Sequence, residues 1–261
     1  MDFTGNLPVE ILEEIIDTAA DVGGQQAASQ LSLVCKRFRP RALRHVLSKM
    51  TIRFRGNNGI KGDHGFNSWF LKESSNVNCH SRYVTSIFYD CCGIDRQEDP
   101  LRLPSNIDLA SVFRSVEVLR IGHVDLGDTR YMPQFRALPT VRSLSLESCE
   151  MDIFQLAFYL RSFPNLEHLS FLYPRFGPRS LRCEDREGLG KLRLKLQLGW
   201  MESDLALLYA LSTLPHIFTK ISLNYIGKTS YPFRNFLASS SETLTEIKMN
   251  RESPSPFLSG T

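Results

Sequence analysis

The chain has 261 residues, 42% of them hydrophobic and 23% charged, the balance of a globular protein rather than a disordered one. Its longest unbroken apolar run, Leu205 to Leu211, is seven residues, against the ~18 that a membrane helix needs. A formal charge of +3 is too mild to demand nucleic acid, so neither a membrane nor nucleic acid is expected as a partner. The six cysteines, Cys35, Cys79, Cys91, Cys92, Cys149 and Cys183, form no C-x-x-C pair, and no N-x-[ST] sequon occurs. Both absences fit a reducing compartment, cytoplasm or nucleus. The first residues are acidic with no early Lys or Arg, unlike a secretory or mitochondrial leader.

Charge splits the N-terminal region. Residues 1–21 hold six acidic groups and no basic ones, and residues 35–55 hold eight basic groups and no acidic ones. A basic block of this kind is able to touch phosphate. Apolar residues thread it at helical spacing, however, which makes it the solvated face of a helix beside the acidic first helix. In that first helix Ile11, Ile15 and Ala19 form one stripe, flanked by Leu12 and Ile16, with Glu10, Glu13, Glu14 and Asp17 opposite. Pro8 suits the first turn, and Gly23-Gly24 is expected to end the helix. A second helix is expected with Leu31, Val34, Cys35 and Phe38 as its stripe. Pro40 stops it and opens a short third helix carrying Leu43, Val46 and Leu47. So small a unit leans on a partner or a neighbouring domain.

Leu7-Pro8-Val9-Glu10-Ile11-Leu12, then Ile15-Ile16, then Leu31-Ser32-Leu33-Val34-Cys35-Lys36-Arg37-Phe38-Arg39, taken in this order, resembles the F-box over about residues 5–48. The spacer from Asp17 to Gln30, with Gly23-Gly24 and Gln25-Gln26, resembles the fungal variants. The resemblance implies docking onto the Skp-type adaptor of cullin–RING ubiquitin ligases. Carried over residue by residue, it implies that Leu7, Pro8, Ile11, Leu12, Ile15, Val34 and Phe38 make or support the adaptor interface. Independently, apolar Leu7 and Pro8 at a helix start have little intrachain core to enter, which makes them candidates for a partner's groove.

The rest of the chain repeats. Leu138-Pro139-Thr140-Val141, Phe163-Pro164-Asn165-Leu166 and Leu214-Pro215-His216-Ile217 share one pattern, with the prolines 25 and then 51 residues apart. Aliphatic pairs follow each (Leu144 and Leu146, Leu169 and Phe171, Ile221 and Leu223), with Leu119 and Ile121 before them and Ile247 and Met249 after. Leu192, Leu194, Leu196 and Leu198 alternate as a strand whose repeat register is open. Further strands are expected near Ile52–Phe54 and Val84–Ile87, and helices over Asp152–Phe163 and Glu202–Leu214. A 25–26-residue repeat opening L-x-x-L-x-L resembles the leucine-rich repeat. Cys149 fills its Asn/Cys position once, while Val124, Pro174 and Ile226 stand there elsewhere.

The expected fold is therefore an α/β solenoid: a three-helix F-box over residues 1–50, a connecting region with possible first strands over 51–114, a curved array of degenerate leucine-rich repeats with parallel strands over 115–250, and a frayed tail over 251–261. Nothing after Met249 reads as a cap, so the reading expects the chain to run on or to cap poorly. Side chains alternating with the buried leucines should line one face. The substrate-binding candidates there are Arg120, Ser145, Glu147, His168, Lys220, Asn224 and Lys248, a set that suits a protein ligand better than a phosphate backbone.

Catalytic motifs are absent: there is no G-x-S-x-G, H-E-x-x-H, P-loop or G-x-G-x-x-G. Cys79-His80 with Cys91-Cys92 lacks the second pair of a zinc site and the orienting partner of a nucleophile. Asp17 and Asp21 read as a solvated helix face. No cofactor, metal or enzymatic activity is expected. The sequence points to a substrate-recognition subunit of an SCF-type ubiquitin ligase, binding a Skp-type adaptor and a protein substrate. The alternative is a repeat scaffold that binds proteins, with an F-box-like cap and no ligase role.

Overall fold

A computed structural model describes residues 8–34, 36–53, 80–90, 112–126, 138–177, 189, 192–199, 205–214, 217–223 and 230–249. Leu7, Cys35, Asn224, the Cys79 and Cys91-Cys92 group, and the tail after Met249 lie outside the described residues.

The chain opens with α1 (Val9–Val34), which is kinked where Gly24 takes φ 63° and ψ −157°. That conformation suits glycine, which has no Cβ to strain. The helix expected to end at Gly23-Gly24 therefore bends there and resumes at once, because Gln25-Gln26-Ala27-Ala28 are good helix formers. The second expected stripe stops short: α1 ends at Val34, and Phe38 stands at the N-cap position of α2 (Arg39–Leu47), whose first turn holds Pro40. Leu12, Ile16, Phe38 and Ala42 form a small core, with Leu31 packed on it. Gln25 closes the far end of α2: its amide Nε2 donates to the carbonyls of Val46 (2.9 Å) and Lys49 (3.2 Å).

The strands follow directly. They are β1 (Lys49–Arg53), β2 (Ser86–Asp90), β3 (Val118–Gly122), β4 (Ser143–Glu147), the two-residue β5 (Glu150–Met151), β6 (His168–Leu172), the two-residue β7 (Arg175–Phe176), β8 (Leu194–Leu198), β9 (Phe218–Leu223) and β10 (Glu246–Met249). Three helices lie among them: α3 (Ile153–Ser162), α4 (Leu205–Ser212) and α5 (Ser230–Ser240). Both helices read from the sequence recur, α3 almost to the residue; α5 was not anticipated. The long strands form one open eight-stranded sheet in the order β1-β2-β3-β4-β6-β8-β9-β10, and every pairing is parallel. The short β5 and β7 pair as a second parallel ladder.

Register explains the core. Met50, Ile87, Leu119, Leu144, Leu169, Leu196, Ile221 and Ile247 face one another strand to strand, and Tyr89, Ile121, Leu146, Phe171, Leu198 and Leu223 form a parallel row. From Ile87 to Ile221 the first row is buried, and it joins Leu156 and Leu160 of α3, Leu207 and Leu211 of α4 and Phe236 of α5 in a single core. The register left open for the leucines of β8 resolves on Leu196. A turn at Leu189–Leu192, closed by Leu192 N–H to Leu189 O (3.0 Å), replaces the proline-bearing turns at Leu138–Val141 and Phe163–Leu166.

Corners recur as well. His123, Ser148 and Tyr173, each just past a strand, have φ of 58°, 50° and 50°. The repeated left-handed residue turns the chain so that Val124, Cys149 and Pro174 all point inward. Cys149 Sγ lies 3.3 Å from the Ile121 carbonyl on the preceding strand. Asp152 caps α3 by a reciprocal pair with Gln155, its carboxylate accepting from Gln155 N–H (3.0 Å) while Gln155 Oε1 accepts from Asp152 N–H.

Leu144→Ala should lower stability by about 2–5 kcal/mol in urea unfolding. Ile247→Ala, in the same row but 45% exposed, should cost under about 1 kcal/mol. Equal losses would mean that the row is not one core.

Candidate functional site

Two surfaces carry the sequence-derived candidates. The first is the helical pair. Leu12, Ile16 and Ala20 form the buried stripe of α1. One position round the helix, Ile11 and Ile15 are 42% and 44% exposed, and the same stripe ends at Val22, 86% exposed. Pro8 and Val9 at the helix start and Val34 at its end are exposed too. Of the adaptor candidates, Pro8, Ile11, Ile15 and Val34 thus reach solvent, whereas Leu12 and Phe38 are buried and act only by holding α1 against α2.

The polar side of the same pair is tied together. Arg41 donates from Nε to Asp17 Oδ1 (2.8 Å) and from Nη2 to Oδ2, and His45 Nε2 lies 2.7 Å from Oδ1. Glu13 sits 3.6 Å from the same guanidinium. Asp17 is therefore not a merely solvated carboxylate: it locks α1 to α2 across the acidic and basic halves of the sequence. Hydrogen bonding to Arg41 above all, with help from His45, outweighs burial and holds its carboxyl well below the usual carboxylate range. Arg44 lies 5.9 Å from the Tyr83 ring, which Arg82 also covers at 4.7 Å, linking α2 to the turn before β2.

The second surface is the sheet face opposite the helices. Alternation puts three rows of side chains there. The middle row runs Phe88, Arg120, Ser145, Ser170, Gln197, Ser222, Lys248, each opposite the next. Beside it runs Ser86, Val118, Ser143, His168, Lys195, Lys220, Glu246. Arg120, Ser145, Glu147, His168, Lys220 and Lys248 all lie on this face, exposed or half-buried.

At one end Arg120 lies 4.8 Å over the Phe88 ring and donates to Glu147 (3.2 Å). Gly122 leaves room for that ring, since a Cβ there would meet Phe88 Cε2 at 3.0 Å. At the other end Glu246 accepts from Lys220 (2.6 Å) and pairs with Lys248 (3.0 Å). These contacts, Lys220 first, pull the Glu246 carboxyl down to about 2. Phe88, Lys195 and Gln197 were not among the candidates. The alternation of β8 points Lys195 and Gln197 outward whatever its repeat register, so the signal for them was present.

Burial pushes the Cys149 thiol up to about 12, so it stays protonated and unreactive. Among the described residues no group of three or more His, Cys, Asp or Glu side chains is placed to hold a metal ion, and no helix is long and apolar enough to cross a membrane. No family model matches the chain, and no curated protein matches it.

Asp17→Asn should lower stability by about 1 kcal/mol at neutral pH. A depressed carboxyl contributes fully above its unfolded value of about 4 and loses that contribution as pH falls towards the folded value. The gap between wild type and variant should therefore close on acidification below pH ~4. Identical melting at neutral pH would contradict the lock.

Proposed function

We propose that the chain is the substrate-recognition subunit of a cullin–RING, SCF-type ubiquitin ligase. Residues 1–50 serve as the F-box that binds a Skp-type adaptor, and residues 115–250 as a degenerate leucine-rich-repeat solenoid that holds a protein substrate. The observation that carries this reading is the stripe of Ile11, Ile15 and Val22, exposed beside the buried stripe of the same helix. It starts one turn after Leu7-Pro8, where the F-box resemblance places the adaptor contact.

The sheet supports the second half of the reading. Its strand order follows chain order without the reversal that marks a doubly wound sheet. From β3 onward its strands recur about every 25 residues, and so do the corners at His123, Ser148 and Tyr173, as stacked repeats do. Such a protein forms and breaks no bond itself. It raises the effective concentration of a substrate lysine beside a charged conjugating enzyme, and a cytoplasmic or nuclear location follows from the adaptor it would bind.

The test is co-elution of the full chain with a purified Skp-type adaptor, beside a Leu7→Ala, Pro8→Ala variant and an Ile11→Asp, Ile15→Asp variant. The proposal expects a stable 1:1 complex that both variants lose while their melting temperatures hold, since Pro8, Ile11 and Ile15 are exposed. A folded wild-type chain that does not bind would leave the repeat-scaffold reading in its place.

A further inference from the structure

The outward residues of β6, β8 and β9 differ from the rest of that sheet face. His168, Lys195 and Lys220 stand side by side on three neighbouring strands in direct register, at the ~4.8 Å spacing of a sheet. Like charges placed opposite one another on adjacent strands repel. No acidic residue occurs anywhere in these three strands, whose sequences are HLSFL, LKLQL and FTKISL.

The other cations of the face are answered, Lys220 at the edge of this patch among them: Arg120 by Glu147, and Lys220 and Lys248 jointly by the one carboxylate of Glu246. The Lys195 amide donates to Glu167 O (2.8 Å), while its exposed side chain makes no hydrogen bond or ion pair among the described residues. The row beside it is Ser170, Gln197 and Ser222: short or neutral side chains with hydrogen-bonding ends, leaving the cations as the tallest groups.

We propose that this face of β6, β8 and β9 is a docking surface for an acidic peptide segment, with Lys195 as its central contact. The assignment rests on the proposed substrate-binding role of the sheet and names the chemical class of that substrate. Carboxylates of an extended segment lying across the strands meet the lysine row, and its backbone meets the serine and glutamine row. The absence of intramolecular acid on the three strands gives the surface its charge complementarity. Glu246 borders it as a built-in competitor, occupying Lys220 and Lys248 that would otherwise add to the field.

The experiment is fluorescence anisotropy on the full chain with a labelled oligo-glutamate peptide, beside an oligo-lysine peptide, a neutral Gly-Ser peptide and a single-stranded oligonucleotide. The proposal expects the oligo-glutamate peptide alone to bind, more weakly as salt rises. Lys195→Glu should weaken it about tenfold or more, and Glu246→Gln should tighten it about threefold by releasing two lysines. A gain of affinity cannot come from damage to the fold, so the second variant guards the first. Binding that ignores peptide charge, a Lys195→Glu variant that binds like wild type, or tighter oligonucleotide binding through Lys195 would each overturn the proposal. Both variants should still co-elute with the adaptor. A wild-type chain that fails with the adaptor yet passes the peptide test would remove the ligase reading and leave the acidic docking surface standing.

Discussion

The whole sheet depends on one row of aliphatic side chains. Ile87, Leu119, Leu144, Leu169, Leu196 and Ile221 lie in direct register through consecutive parallel pairings and are buried together. A parallel strand has no hairpin to hold it to its neighbour, so its position must come from burial and from the crossover that returns the chain. Slipping one residue would turn each of these side chains to the polar face. The corners then follow, since a strand of fixed register needs the same left-handed residue at its exit, and His123, Ser148 and Tyr173 supply it. Hydrogen bonds between successive turns repeat the arrangement at the rim, with Thr140 donating to Val116 O (2.7 Å) and Thr243 to Phe218 O (2.8 Å).

The helical pair joins this sheet through its backbone. The Ser48 carbonyl, just past α2, accepts from the amides of Thr85 and Ser86, each at 2.9 Å, where β2 begins. Its own core is only Leu12, Ile16, Phe38 and Ala42 with Leu31 against it, too little to be stable alone. The Asp17–Arg41 bond and the Gln25 cap therefore carry an unusual share of its geometry. That economy leaves Ile11, Ile15 and Val22 outside the core. In the proposed ligase subunit, these are the residues an adaptor would cover.

Much of this was legible in the sequence, for identifiable reasons. The hydrophobic-Pro-x-aliphatic turns and the apolar pairs after them placed β4, β6 and β9, and the 25-residue spacing back from Leu144 to Leu119 placed β3. The β8 register was not legible, because Leu192, Leu194, Leu196 and Leu198 are interchangeable by pattern and Leu189–Leu192 lacks the marking proline. The Gly23-Gly24 pair read as a stop became a kink, since the pattern of helix formers after it outweighed the break. The ladder of β5 with β7 escaped because two residues carry no period. On the candidate surfaces, alternation alone sorted outward from inward residues. It could not show that Leu12 and Phe38 close the small core while Ile11 and Ile15 do not, because that depends on the angle at which α2 crosses α1.

The registered row makes β3, β4, β6, β8 and β9 one cooperative unit, to which β10 is only loosely added at one end of the sheet. Its side chains Ile247 and Met249 are exposed, and among the described residues its only strand partner is β9. Native-state amide hydrogen exchange tests this most directly. The hydrogen-bonded amides of β3, β4, β6 and β8 should share the highest protection and the same denaturant dependence, with β10 exchanging by local opening well before them. Protection in β10 equal to that of β4, or separate opening energies for β4 and β6, would contradict it.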